Sequence, residues 1–552
     1  MKYIKYLAAG SLMLAMTGCF DEPTGESTKH LPGEGGSEGG GDVPENIVSP
    51  TPSGAVKNEK ITINTATTYQ TMEGIGASDC WLGEFIGEYW STNRADAANW
   101  LFSKRIVNGQ PQGIGLSMWR VNLGGGSAEQ GDASEIVNVT NRAECFLNAN
   151  GSYNWNSCAG QRYFMQQAKN NGVEKFVLFS NSPLVNWTKN GLATKIDEPK
   201  NGHTNLKDDS YGAFAEYMAT VAEHFIGEGY NISHISPANE PQYDWDGDNQ
   251  EGSSWFNTEI AKLAREMQKS FDNHNISTNI LLGEAGSYVS LYSGDNNRAN
   301  VIDQMFTSGN EAYVGDLSRV DNLISGHSYW TYNTWDEMRN VRRQLADKAA
   351  QKGVRVWQTE LSLLGNAPAD LEGGYEKSTQ LDLAMYVSRI IHNDFTVAQC
   401  TSWSYWTAFG VEAWGQMNRF ELIFSTPVDG YYGSNWTTPG TLEANPNLWV
   451  LGNYSLYIRP GFKRVELALN ESKDFFGTAW TDPDGKRVVM VITNYDKTNN
   501  ISFDVYSQLG ATPTAIHRYT TSENKNLYQE YFKVGDQLFV EPHSVTTFVF
   551  DF

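Results

Sequence analysis

The chain predicts an α/β fold: a (β/α)8 barrel followed by a C-terminal side β-sandwich. Eight short apolar runs, "MEGIGAS", "IGLSMWRVN", "KFVLFSN", "ISPANE", "NILLGE", "NLISGHSYW", "VRVWQTE" and "CTSWSYWTAF", are separated by longer helical stretches across residues 72–459. Eight parallel strands, each followed by a helix, is the count that closes such a barrel. The runs are nearly continuous in apolar residues, as expected of strands covered on both faces. The texture then changes at Arg459-Pro460-Gly461, after which β-rich runs from "RVELALN" to "SVTTFVF" are broken by turns such as Pro483-Asp484-Gly485. An open doubly wound sheet is the alternative, but no G-x-G-x-x-G opens the first crossover.

Taken in order, "MKYIKYLAAGSLMLAMTGC" has Lys2 and Lys5, an apolar stretch too short to span a bilayer, and then small residues. That is the pattern of an export signal over residues 1–18. Met16-Thr17-Gly18-Cys19 resembles a bacterial lipobox, which implies lipidation of Cys19; a plain signal peptide is the alternative. Phe20-Asp21-Glu22 resembles the acidic tag that sends some lipoproteins to the outer face of the outer membrane. The expected location is therefore the cell surface, with membrane attachment only through the lipid. Residues 19–58, with "GEGGSEGGGDVPE", lack any apolar period and read as a flexible linker. Residues 59–71 are β-like and are assigned to the sandwich from its N-terminal side.

Within the barrel, "YGAFAEYMATVAEHFIGEG" is a sample helix. Phe214, Tyr217, Met218, Val221 and Phe225 recur at three- and four-residue steps, and Gly227 and Gly229 end the pattern. The helix-like "NPNLWVLGNYSLYI" closes the barrel region, and residues 460–552 form the sandwich.

Of the 552 residues 40% are hydrophobic, enough for a large core, and 41 Lys+Arg against 64 Asp+Glu leave a net charge of -23. Such a surface repels nucleic-acid phosphates and anionic lipid, so a neutral ligand fits better. Seventeen Trp and 27 Tyr exceed what folding needs, and flat rings can stack on the apolar faces of sugars. No C-x-x-C, H-E-x-x-H or Gly-rich phosphate loop occurs, so neither a metal nor another cofactor is expected. Asp244, Asp246 and Asp248 in "DWDGDNQEG" mimic a calcium loop but read better as a solvated acidic loop. Export implies an oxidising compartment, where Cys145 and Cys158, flanking "FLNANGSYNWNS", are the one pair put forward for a disulfide. A monomer is expected.

Chemistry in such barrels sits at the C-terminal ends of the strands. Glu240 in "SHISPANEPQYDW" ends the fourth, and Glu360 in "VRVWQTELSLLG" ends the seventh. These strands lie nearly opposite one another, so the two carboxylates face across one cleft. Glycosidic bond cleavage needs that arrangement, one group protonating the leaving oxygen and the other attacking or supporting the oxocarbenium-like carbon. Glu284 ends the fifth strand and is the rival carboxylate, read as structural.

With these residues in view, the chain resembles glycoside hydrolase family 30. The resemblance rests on the Asn-Glu-Pro of "PANEPQ", the Glu of "WQTE", the Arg of "LSMWRVN", the His-x-Tyr of "GHSYW" and the paired Trp of "SWSYW". "LGNYSLYIRPGFKRV" and the late "HSVTTFVF" are similar to that family's passage into its side sandwich. "GIGASDCW", "NSPLVNWTKNG" and "NQEG" look most like its endo-β-1,6-galactanase-like branch, while xylan-cleaving branches share parts of the pattern. The resemblance implies Glu240 as acid/base, Glu360 as nucleophile, retention of configuration and Asn239 on a sugar 2-hydroxyl. Arg120 and Tyr329 are neighbours suited to keep Glu360 ionised. Trp406 and Trp187 are put forward as sugar platforms, or else as core, and Trp403 is placed on the opposite face of its strand. His327 is read as a partner of a substrate hydroxyl or a structural histidine, and Asp79 as a sugar ligand or a helix N-cap. A surface glycan-binding protein without catalysis is the reading from another class, but its expected mark, loss of a catalytic carboxylate, is missing.

Overall fold

The computed structural model describes residues 43–194, 202–411 and 419–552. The export signal, Cys19 and residues 19–42 of the expected linker lie outside the described residues.

Eight parallel strands form one barrel sheet: β1 (Gly74–Ser78), β2 (Met118–Asn122), β3 (Lys175–Phe179), β4 (Ile232–Ser236), β5 (Asn279–Ala285), β6 (Leu323–His327), β7 (Arg355–Glu360) and β8 (Ser402–Tyr405). β5 is interrupted at Leu281: Asn279–Ile280 pair with β4, and Leu282–Ala285 pair with β6, which closes the circle. β8 pairs with β1 through Ser402↔Gly74 to Tyr405↔Ala77. Met118, Val177, Leu281, Leu323 and Trp357 form a separate cluster contributed by five of these strands. Room beside β2 comes from a missing side chain: a Cβ on Gly76 would sit 2.6 Å from the Met118 carbonyl oxygen. The helix Tyr211–Gly227 buries Phe214, Tyr217, Met218, Val221 and Phe225 in the main core, and the chain leaves it through Gly229 at φ 83°.

Beyond the barrel, seven antiparallel strands run in the spatial order Thr62–Thr71, Lys463–Ala468, Phe475–Thr481, Arg487–Asn494, Ser544–Asp551, Ala515–Ser522, Lys525–Phe532. A second sheet holds Ala55–Asn58, Asn499–Phe503 and Leu538–Val540. Side chains alternate faces along a strand. Val488, Met490 and Ile492 therefore pack into the sandwich interior, while Val489 and Val491 join the barrel's core. Buried hydrogen bonds fix this docking: Ser388 Oγ lies 2.7 Å from Thr493 Oγ1, and Asn453 Nδ2 donates to Thr547 Oγ1 at 3.1 Å.

Two features differ from the sequence reading. Ala55–Asn58, inside the expected linker, is a strand paired in parallel with Asn499–Ser502. All four of its side chains are exposed, so it is held by backbone pairing and by the Lys57–Asp496 ion pair at 2.7 Å, and no apolar period marks it. Cys145 and Cys158 are separate buried thiols, each satisfied by a carbonyl, Leu147 O at 3.2 Å and Glu144 O at 3.6 Å respectively.

Candidate active site

At the C-terminal mouth of the barrel three carboxylates meet two cations. Arg120, from β2, donates through Nη1 to Glu360 Oε2 at 2.9 Å and through Nη2 to Asn239 Oδ1 and Glu284 Oε2, each at 3.1 Å. Its guanidinium lies 3.5 Å from the centre of the Phe179 ring. Tyr329 Oη donates to Glu360 Oε1 at 3.0 Å. His327 Nδ1 lies 3.0 Å from Glu240 Oε1, and its Nε2 lies 2.9 Å from Glu284 Oε2. An oxygen of Glu240, a ring nitrogen of His327 and an oxygen of Glu360 all lie within 4.8 Å of one another.

Local backbone geometry builds this cluster. The ladder between β6 and β7 shifts register between Gly326 and His327, which sets His327 beside Glu360. Gly283 and Glu284 both have positive φ, 111° and 42°, and the bulge they form turns Glu284 into the barrel. There it accepts from Thr359 Oγ1 at 3.0 Å and Ser325 Oγ at 3.1 Å. Glu240 is itself left-handed at φ 43° in front of a proline, a conformation costing about 1–2 kcal/mol. Its N–H donates to Glu284 O at 2.9 Å, and Trp245 Nε1 donates to Glu240 O at 3.1 Å. Gly286 leaves room for the carboxyl, because a Cβ there would lie 3.0 Å from Glu240 Oε1.

Charge follows from these contacts. Burial lowers the basicity of His327, yet Glu360, Glu240 and Glu284 together raise its pKa to about 10, so it is an imidazolium donating from both nitrogens. Against the upward push of burial, Arg120 and then His327 hold Glu284 at about 2. Burial also pushes Glu360 up, opposed by His327 and Arg120 and assisted by its carboxylate neighbours. Burial takes the Tyr329 hydroxyl well above the ordinary tyrosine value and keeps it a donor. The Glu240–His327–Glu360 trio has ligand-type atoms, but His327 donates from both ring nitrogens and has no lone pair to give an ion.

The cavity above the cluster has a volume of about 370 Å³ and is lined by Glu240, Glu360, Asn239 and Tyr329 with a ring of aromatics that includes Trp81, Tyr243, Trp245, Trp330 and Trp406. Asn239 gives its oxygen to Arg120, so Nδ2 is what it offers the cavity. Trp406 meets Trp81 edge to face, with centroids 5.1 Å apart, whereas Trp403 is buried and donates to Asp394.

Several assignments from sequence change here. Trp187 does not line the cavity; it packs on Phe214 and Tyr217 of the helix that follows β3. Asp79 is neither a sugar ligand nor a helix cap. It is fully buried, its oxygens accept from Asn122 N–H at 3.1 Å and Gln161 Nε2 at 2.8 Å, and the next helix starts from Trp81. Arg120 and His327 are also buried and spent on carboxylates, so they position those groups and do not meet sugar. The stretch "PANEPQYDW" offers Glu240 no cation of its own; its cationic neighbour, His327, arrives from β6. The aromatics missed from sequence sit in loops, where no periodicity marks them.

Burial of acids outside the mouth gives a stability prediction. Asp79, Glu84 and Glu251 are each raised to about 7, burial being the leading cause. Between their unfolded values near 4 and about 7 the native state binds more protons, so stability present at the low end is lost as pH rises. His327 extends that loss from about 6.5 to about 10. Glu284 acts oppositely, losing its contribution only as pH falls from about 4.5 to about 2. Thermal unfolding should therefore show a higher Tm near pH 5 than near pH 8, by roughly 5 °C or more, and Asp79→Asn should flatten the slope. A Tm that climbs from pH 5 to pH 8 contradicts these burial assignments.

A parallel barrel whose mouth holds facing carboxylates in a cleft rimmed by aromatic rings is the architecture of a glycoside hydrolase. The chain belongs to O-glycosyl hydrolase family 30, whose model matches residues 58–415. It is 25% identical over 489 residues to an endo-beta-1,6-galactanase of Hypocrea rufa, covering 84% of this chain and 87% of that one. A glucuronoxylanase of Bacillus subtilis is 22% identical over 356 residues, 63% of this chain and 69% of that one. A conserved exported protein from Bacteroides fragilis of known structure superposes with a TM-score of 0.81 at 30% identity, covering 89% of this chain and all of that one.

Proposed function

We propose that this glycoside hydrolase is an exported, lipid-anchored retaining β-glycanase that cuts internal bonds of β-1,6-galactan, with Glu240 as acid/base and Glu360 as nucleophile. The observation that carries the mechanism is the approach of Glu240 and Glu360 oxygens to within 4.8 Å, close to the separation of about 5 to 5.5 Å that suits double displacement. A water-activating, inverting pair needs roughly 6.5 Å or more.

Hydrogen bonding supports the division of roles. Glu360 accepts from Arg120 and Tyr329, and Glu284 from four donors, whereas Glu240 has His327 beside Oε1 and its carboxyl lines the cavity. In the first step Glu240 gives a proton to the glycosidic oxygen while Glu360 bonds to the anomeric carbon and the aglycone leaves. The charge left on Glu240 is held by His327 at 3.0 Å. In the second step Glu240 takes a proton from water, whose oxygen displaces Glu360 and regenerates both groups. Asn239 Nδ2 is the donor offered to the sugar hydroxyl next to the reacting carbon, a bond that strengthens as positive charge develops.

The choice of galactan rests on the similarity to the Hypocrea rufa enzyme across most of both chains. Its test is a screen against β-1,6-galactan, glucuronoxylan, arabinoxylan and β-1,6-glucan, with products resolved by size. Rapid release of short oligosaccharides from galactan is expected; cleavage of a xylan alone moves the substrate to the xylanase reading that the Bacillus subtilis relative supports. Anchoring rests on Met16-Thr17-Gly18-Cys19. Cys19→Ser should shift the protein from the membrane fraction to the soluble one, and unchanged fractionation rules the lipid out.

A further inference from the structure

Two rings on the cavity rim are exposed where the fold gains nothing from exposing them. Trp330 is 61% exposed and Tyr243 is 58% exposed, yet both line the cavity that holds Glu240 and Glu360. Trp330 also has φ 57°. A left-handed backbone is strained for a bulky residue, and such strain persists where the surroundings enforce it, commonly at ligand contacts. Its indole lies over Gly365, with Nε1 3.6 Å from where a Cβ on that glycine would stand.

Each ring is braced by a residue bonded to one of the two carboxylate residues. Tyr243 meets Trp245 edge to face, with centroids 5.1 Å apart, and Trp245 Nε1 donates to Glu240 O. Trp245 in turn lies against Gly252, where any Cβ would collide with the indole. Trp330 packs on Tyr329, with centroids 5.7 Å apart, and the Tyr329 hydroxyl holds Glu360. The large apolar faces thus stand in water at fixed positions relative to the acid and the nucleophile. Water is a poor partner for an indole face, while the C–H face of a pyranose is a good one.

Building on the glycanase reading, we propose that Trp330 and Tyr243 are stacking platforms for sugar units beyond the one that reacts. The ring beside the acid and the ring beside the nucleophile together bind a chain laid across the mouth. They set the preference for polymer over short glycosides without taking part in bond cleavage.

The test uses whichever of the four polysaccharides the wild-type enzyme cleaves, together with the 4-nitrophenyl β-glycoside of its constituent sugar, so an error over galactan leaves this inference open to refutation. Trp330→Ala and Tyr243→Ala should each lower the ratio of kcat/KM for polymer to kcat/KM for the aryl glycoside at least tenfold, mainly through KM. Trp330→Phe, which keeps a ring, should recover most of that ratio. Both side chains are mostly exposed, so the variants should melt close to the wild type. An unchanged ratio in both alanine variants overturns the proposal. Equal losses on polymer and aryl glycoside also overturn it, because they place the effect on Glu240 and Glu360 through Trp245 and Tyr329.

Discussion

Replacing Glu360 with Ala is expected to lower kcat/KM on the cleaved polysaccharide by about 10⁴-fold or more, with KM little changed. The group removed is the proposed nucleophile, so nearly all of the loss belongs in kcat. The substitution also removes the acceptor of Arg120 Nη1, while Nη2 keeps Glu284 and Asn239, and it frees the Tyr329 hydroxyl. Some loss of stability is therefore expected, and Glu360→Gln serves as the companion variant. It fills the same volume and keeps an acceptor for one donor, so it should melt closer to the wild type yet be equally inactive. Turnover within tenfold of wild type in either variant removes Glu360 from the nucleophile's role.

Glu240→Ala should separate the two chemical steps. On polysaccharide, where the leaving sugar needs a proton, a loss of about 10³-fold or more is expected. On a 2,4-dinitrophenyl glycoside the leaving group departs without one, so the enzyme should still be glycosylated on Glu360 and then stall, because no base activates water. KM for that substrate should fall as the intermediate accumulates. Azide is already an anion and needs no base; at high concentration it should restore turnover and yield a glycosyl azide of β configuration. No rescue by azide, or equal losses on both substrates, argues that Glu240 does not carry the proton.

What was legible in the sequence follows from burial. The eight barrel strands are covered on both faces, so each stands out in the chain as a short run rich in apolar and small residues. Of the sandwich, Arg487–Asn494 and Ser544–Asp551 read clearly because both faces of their sheet are covered, one by the second sheet and one by the barrel. Lys525–Phe532 lies at the sheet's edge with three buried side chains and, like the exposed Ala55–Asn58, carries no strong apolar pattern.

At the site, strand-end position shows which residues reach the rim but not where they point. Asp79 and Trp187 sit at suitable places in sequence and turn instead into the packing between strands and helices. Glu284, read from sequence as structural, is buried beneath both Arg120 and His327, where two successive positive φ values bring it. Its place at the centre of the charge balance depends on backbone geometry that residue spacing does not encode.

The stereochemistry of the first-formed product tests the central claim most directly. Two carboxylates held within 4.8 Å leave room for a covalent glycosyl-enzyme and not for an attacking water between them. Proton NMR of the newly formed reducing end, followed from the first minutes of polysaccharide cleavage, should show the β-anomer appearing first and the α-anomer growing only at the rate of mutarotation. An α-anomer appearing first means single displacement by water, and contradicts the roles given to Glu240 and Glu360.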